Sequence, residues 1–102
     1  MKELALAVDL GGTNLRSARI DREGNLYGES REPTRRDHGP EGVVNQLRQT
    51  LDRHLQEAGL DRLLGIGLGV PGPVDPVSGL VRHAPNLPGW KDLPLADLLG
   101  PL

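Results

Sequence analysis

The period at which apolar residues recur changes several times along this chain of 102 residues. Residues 4–8 form a continuous apolar run that stops at Asp9, Leu10, Gly11 and Gly12, which predicts a strand buried on both faces. Residues 15–20 and 26–30 flank the turn-rich "DREGN" and predict a hairpin. Between positions 37 and 59 the period becomes helical, with Val43, Val44, Leu47, Leu51, Leu55 and Ala58 on one stripe. Pro40 suits the first turn of that helix, Glu41 its positive end, and Gly59 a left-handed cap.

The run "LLGIGLGV", residues 63–70, alternates glycine with large apolar residues. One face is apolar and the other nearly bare backbone, which predicts a buried strand with something packed very close. Residues 80–83 predict a short last strand, "APNLPGWKDLP" a proline-rich loop, and residues 95–99 a short helix. Residues 31–39 read as a connection and as the most mobile interior stretch. Three strands, a helix and a returning strand together predict an α/β fold, a mixed sheet covered by helix.

Composition narrows the function classes. The chain can hold one globular unit that buries roughly two-thirds of its unfolded surface. With 12 Lys and Arg against 14 Asp and Glu, the net charge of -2 gives no electrostatic case for nucleic acid or an anionic membrane. Aromatic residues make up 2%, so the stacking surfaces used by single-stranded nucleic-acid binders are missing. There is no cysteine, hence no disulfide and no thiolate metal site, which fits a reducing cytoplasm. The apolar run near Met1 is too short for a signal peptide or a membrane span.

Candidate chemistry starts at "VDLGGTNLR", residues 8–16. A strand ending in Asp9 and a tight turn through Gly11, Gly12, Thr13 and Asn14 offer backbone N–H groups and a hydroxyl to an anion, while Asp9 can hold a hydrated magnesium ion. The stretch matches neither the P-loop nor the dinucleotide fingerprint, and a strand follows it where those motifs have a helix. The same residues also make an ordinary hairpin turn. A second cluster, "GIGLGVPGPVDPVSGLVRHAPNLPGW", couples the glycine-alternating strand to Pro71, Gly72 and Pro73 and then to Asn86, Leu87, Pro88, Gly89 and Trp90.

With both clusters in their order and spacing, the chain resembles the ROK family of sugar kinases and sugar-responsive repressors, which belongs with the actin and hexokinase-like ATPases. "DLGGTNLR" resembles the family's first phosphate motif, and "GVPGPVD" followed by "APNLPGW" its sugar-side segment. The resemblance implies a ribonuclease-H-like mixed sheet with an N-terminal antiparallel hairpin meander, a crossover helix and a returning strand. It also implies ATP and Mg2+ as cofactors and a hexose substrate. Asp9 would hold magnesium through water, and Gly11, Gly12 and Thr13 would line the β- and γ-phosphates, with Asn14 and Arg16 beside them. Gly72 would let backbone approach the hexose, and Asn86 would bond its hydroxyls through the carboxamide.

Other residues read more plainly. His38, His54 and His83 are scattered without metal spacing and read as surface or hydrogen-bonded side chains. Asp75 reads as turn chemistry, and Trp90 either as a packing anchor or as a sugar-stacking ring. The charged face of the helix reads as a solvated one.

A complete ROK kinase has about three times this length, in two lobes. The segment carrying the catalytic base, the segment completing the sugar site, the cysteine-rich zinc motif and the adenosine-binding region are all absent from these residues. The expectation is therefore a single domain, residues 1–102, forming the N-terminal lobe of an ATP-dependent hexose kinase, a glucokinase in particular. Its partner would be a C-terminal lobe, and the isolated chain would be inactive. An exposed inter-lobe surface would favour self-association. A repressor fragment and a non-catalytic sugar- or nucleotide-binding module are the alternatives.

Overall fold

The turn at Gly11–Gly12 is set by a hairpin, and the hairpin by the sheet around it. In the computed structural model, which describes residues 1–100, strands β1 (Glu3–Leu10), β2 (Asn14–Ile20) and β3 (Leu26–Pro33) form an antiparallel meander. Helix α1 (Gly39–Ala58) then crosses over to β4 (Arg62–Gly69), which pairs parallel with β1. The sheet order is β3-β2-β1-β4, the mixed sheet that the residue pattern predicts. No helix among the described residues is long and apolar enough to cross a membrane.

The core lies on one face of this sheet. Leu4, Leu6, Val8 and Leu10 of β1 and Leu15 of β2 are buried, and Val43, Val44, Leu47 and Leu51 of α1 pack on that side. Each fully buried leucine contributes roughly 2 kcal/mol by leaving water. A second ribbon, β5 (Leu80–His83) paired antiparallel with β6 (Lys91–Pro94), and the short helix α2 (Leu95–Leu99) add Val81, Ala84, Leu87, Trp90 and Leu95 to the same core.

Several expectations fail here. β1 is not buried on both faces: Ala5, Ala7 and Asp9 alternate outward, because among the described residues no element packs on that side of the sheet. β4 is not a buried strand either. It is the sheet's edge among the described residues, and a Cβ added at Gly65 or Gly67 would meet nothing within 4 Å. Residues 91–94 form β6 where a loop is predicted, since two residues opposite Leu80 and Val81 complete a ribbon despite the neighbouring prolines. Leu55 leaves the apolar stripe and is exposed, while Gln46, Thr50 and His54 take buried places on α1.

The segment expected to be most mobile is partly tied down. β3 continues through Pro33, and Thr34 is buried beside the first turn. Its backbone N–H donates to Thr13 O at 2.9 Å, and its Oγ1 donates to Gly11 O at 2.7 Å. Both ends of the Gly11–Gly12 turn are thus held by one residue 20-odd positions away in sequence.

Beneath β2 and β3, α1 brings a polar cluster into the core. Arg19 Nη1 lies 2.6 Å from His54 Nδ1, and His54 Nε2 lies 2.8 Å from Ser17 Oγ. A guanidinium only donates, and Arg53 Nη2 lies 3.0 Å from His54 Nε2, so each ring nitrogen faces an arginine donor, with Ser17 Oγ also beside Nε2. Arg53 Nη2 donates to Ser30 Oγ at 2.9 Å, and Arg19 also reaches Glu57 at 3.1 Å. The histidine is hydrogen-bonded as its bland reading has it, but the helix face is not simply solvated. Burial first, then the guanidiniums of Arg53 and Arg19, push the His54 pKa down to about 4.

Two predictions follow from these contacts. Thr34→Val leaves Gly11 O without its hydroxyl donor and lowers stability by about 1 kcal/mol, read as a shift in urea midpoint. The folded His54 pKa lies below its unfolded value, so its effect is absent above the unfolded value and stability falls as pH drops through the window between the two. Between pH 7 and 5 this costs about 2 kcal/mol. His54→Gln should flatten that part of the pH profile; an unchanged slope would contradict the assignment.

Candidate functional site

The first turn is closed by Gly11 N–H donating to Asn14 O at 2.9 Å. A Cβ at Gly11 would sit 2.9 Å from that same oxygen, so the tight closure demands glycine. Gly12 and Thr13 form the tip, with Thr13 exposed. The structure therefore gathers Gly11, Gly12, Thr13 and Asn14 in the turn between β1 and β2.

Gly12 is bare for a different reason. A Cβ built there would lie 2.6 Å from Asn86 Cβ and 3.3 Å from Asn86 O. The two clusters read separately in the sequence touch at this point. Asn86 sits in the turn between β5 and β6, where Ala84 N–H donates to Trp90 O at 3.1 Å and Leu87 N–H to Ala84 O at 3.0 Å. Buried Leu87 and Trp90 anchor this turn, while the Asn86 side of it stays exposed. Trp90 is a packing anchor, 2% exposed, and so is not positioned as a ring open to a sugar. Its Nε1 has no hydrogen-bond partner among the described residues.

Gly72 joins the same chain of contacts. Its N–H donates to Val70 O at 3.0 Å, and an added Cβ would collide with the carbonyl oxygen of His83 and come within 3.4 Å of Ala84 Cα. Its bareness is thus already required by the approach of β5. The following loop is a turn, as expected: Asp75 Oδ1 accepts from Val77 N–H at 2.9 Å and Ser78 N–H at 3.2 Å. Those backbone donors, Val77 first, hold the Asp75 carboxyl below the usual carboxylate range. His38 and His83 are exposed.

Asp9 and Arg16 are directly opposite in the β1–β2 register and point to the open face of the sheet. With Ala7, Glu29 and Arg31 they line a shallow cleft of about 500 Å³. The Asp9 carboxylate has no ion-pair or hydrogen-bond partner among the described residues, and Gly69 lies opposite it on β4. One free carboxylate two residues before the Gly11–Asn14 turn suits magnesium, which takes one or two carboxylates together with substrate phosphates and retained waters. The donor set therefore fits that ion as an accessory to a bound phosphate. Among the described residues no three His, Cys, Asp or Glu side chains gather as a metal site of their own.

The motif pattern passes over Thr34. Its signal exists only in register: Pro33 pairs with Asn14, so the next residue must lie beside Thr13. The partners Ser17, Ser30, Arg19 and His54 are likewise invisible to a motif and legible only once α1 lies on the sheet.

Comparison with known proteins accounts for this arrangement. The family model described as ROK family matches residues 5–100. The glucokinase of Halalkalibacterium halodurans is 33% identical over 96 residues, which are 92% of this chain and 29% of that protein. The ROK hexokinase of Thermus thermophilus superposes with a TM-score of 0.78 at 36% identity, over 94% of this chain and 30% of its own. A ROK family glucokinase from Streptomyces griseus, solved with glucose and AMPPNP, gives a TM-score of 0.76 at 27% identity, over 94% of this chain and 29% of its own. The chain spans less than a third of the length of these relatives. Since the match covers both clusters, the meander and the crossover helix alike, the chain belongs to the ROK family.

Proposed function

We propose that residues 1–102 act as the N-terminal lobe of an ATP-dependent hexose kinase, a glucokinase, and supply its phosphate and magnesium contacts and part of its sugar site. The observation that carries this reading is the contact of Gly12 with Asn86, which puts a phosphate-type turn and a sugar-type carboxamide against each other. A kinase needs that juxtaposition, because the accepting hydroxyl must lie in line with the terminal phosphate.

The roles divide by chemistry. Gly11 shapes the turn, its own N–H being taken by Asn14 O, and the backbone N–H groups of Gly12 and Thr13 with the Thr13 hydroxyl donate to the β- and γ-phosphates, as an anion-binding concavity does. Asn14 and Arg16 border them, and the exposed guanidinium of Arg16 adds positive charge next to Asp9. Asp9 holds magnesium through water, and the bound ion would neutralise charge on the transferring phosphoryl group. Asn86 both donates to and accepts from hexose hydroxyls. Gly72 keeps the backbone on the sugar side low. No residue of this chain is assigned as the base that takes the hydroxyl proton; that group and the adenosine site belong to a C-terminal lobe. The chain alone therefore does not turn over substrate.

The relatives that this reading rests on are glucokinases and a hexokinase by name. An assay of the full-length protein that carries these residues, coupled to ADP release and run with glucose, mannose, fructose and N-acetylmannosamine, should show ATP-dependent turnover with at least one hexose. Absence of turnover with all four would overturn the kinase reading in favour of a sugar-sensing repressor or a binding module. In the active protein, Asp9→Asn should lower kcat about a hundredfold or more with folding intact, as loss of an electrostatic contact to the transferring group does. Unchanged kcat would remove Asp9 from the site.

A further inference from the structure

We propose that Gly12 is a positioning residue for the sugar side of the site, beyond the phosphate contact its motif implies. This inference rests on the proposed sugar role of Asn86. It starts from how crowded the contact is. With a Cβ on Gly12, the nearest atoms would be the Cβ, backbone O and Cγ of Asn86, at 2.6, 3.3 and 3.6 Å. The Cβ and the carbonyl oxygen are not the free end of a flexible side chain. They belong to a turn fixed by three backbone hydrogen bonds, Ala84 to Trp90, Leu87 to Ala84 and Trp90 to Leu87, and by the burial of Ala84, Leu87 and Trp90.

The other partner is equally fixed. Gly11 is bonded to Asn14, and Thr34 holds Gly11 O and Thr13 O from the far side. Two rigid turns thus meet through one missing methyl group. A substitution at Gly12 cannot be absorbed by rotating Asn86 about its side-chain bonds, because the obstacle includes the atoms that precede those bonds. The Asn86 turn itself must shift, and its carboxamide shifts with it. Bare backbone at position 12 therefore sets where the hexose-facing amide stands, and either turn, when its ligand engages it, presses on the other.

The test uses nitrogen–proton spectra of the full-length protein that carries these residues, with glucose as the probe. In the native sequence glucose should move the Asn86 side-chain amide and the Gly12 backbone amide together. Gly12→Ala should displace the Asn86 side-chain resonances before any ligand is added and weaken glucose about tenfold, the expected size for overpacking of one methyl. Gly11→Ala strains the same turn against Asn14 without reaching Asn86, so it should leave those resonances in place. A glucose response at Asn86 that Gly12→Ala does not alter would overturn the inference and leave the sugar role standing. No glucose response at Asn86 in the native chain would overturn the sugar role and the inference with it.

Should Gly12→Ala prove poorly folded, the thermal midpoint of the double variant Gly12→Ala, Asn86→Gly decides. Recovery toward the Asn86→Gly midpoint identifies the Asn86 Cβ as the obstacle. A double variant no more stable than Gly12→Ala would show that the strain lies elsewhere.

Discussion

Asn86 rests on the naked backbone of Gly12, and most of the fold serves to bring these two atoms' neighbourhoods together and hold them. The hairpin β1–β2 carries one turn to the end of the sheet, and the β5–β6 ribbon carries the other back over the core. Each turn has a longer-range tether besides its own short-range bonds. Thr34 ties the first to the end of β3, and the burial of Leu87 and Trp90 ties the second to the core under α1. Apolar burial, which has no direction, fixes where the elements sit. A few backbone hydrogen bonds, which do, fix how the turns face each other.

Two faces of the sheet follow two logics. The face under α1 is closed and carries leucine, valine and one internally satisfied polar cluster around His54. The opposite face is open, with Ala5, Ala7, Gly65 and Gly67 leaving its floor almost without side chains beside Asp9 and Arg16. The alternation of β1 between these faces explains how one strand can be half core and still deliver a carboxylate to the surface.

The strands, the long helix and their order were legible from the apolar run at residues 4–8, the turn-rich "DREGN" between two strand-like runs, and the 3.6-residue stripe that starts at Val43. Burial was less legible. The runs at 4–8 and 63–70 read as doubly buried because small residues such as Ala5, Ala7, Gly65 and Gly67 look apolar in a one-dimensional pattern, whereas only packing decides whether anything covers them. β6 was hidden by Pro88 and Pro94, which argue against a strand although only the four residues between Trp90 and Leu95 need to pair. At the site, the motif residues were readable one cluster at a time. That Gly12 meets Asn86, that Gly72 meets His83, and that Thr34 holds the first turn are contacts between segments far apart in sequence, and no local pattern encodes them.

On the proposed function, the β1–β2 turn receives the phosphates of a nucleotide with their metal ion at Asp9. Paramagnetic broadening by Mn2+·ATP, with Mn2+ standing in for Mg2+, tests it directly in the full-length protein that carries these residues. Substoichiometric Mn2+·ATP should broaden the amides of Asp9, Gly11, Gly12 and Thr13 first, and Mn2+ without nucleotide should do so far more weakly. Broadening spread evenly over exposed carboxylates such as Glu23, Asp52 and Asp97, with no preference for the turn, would contradict it.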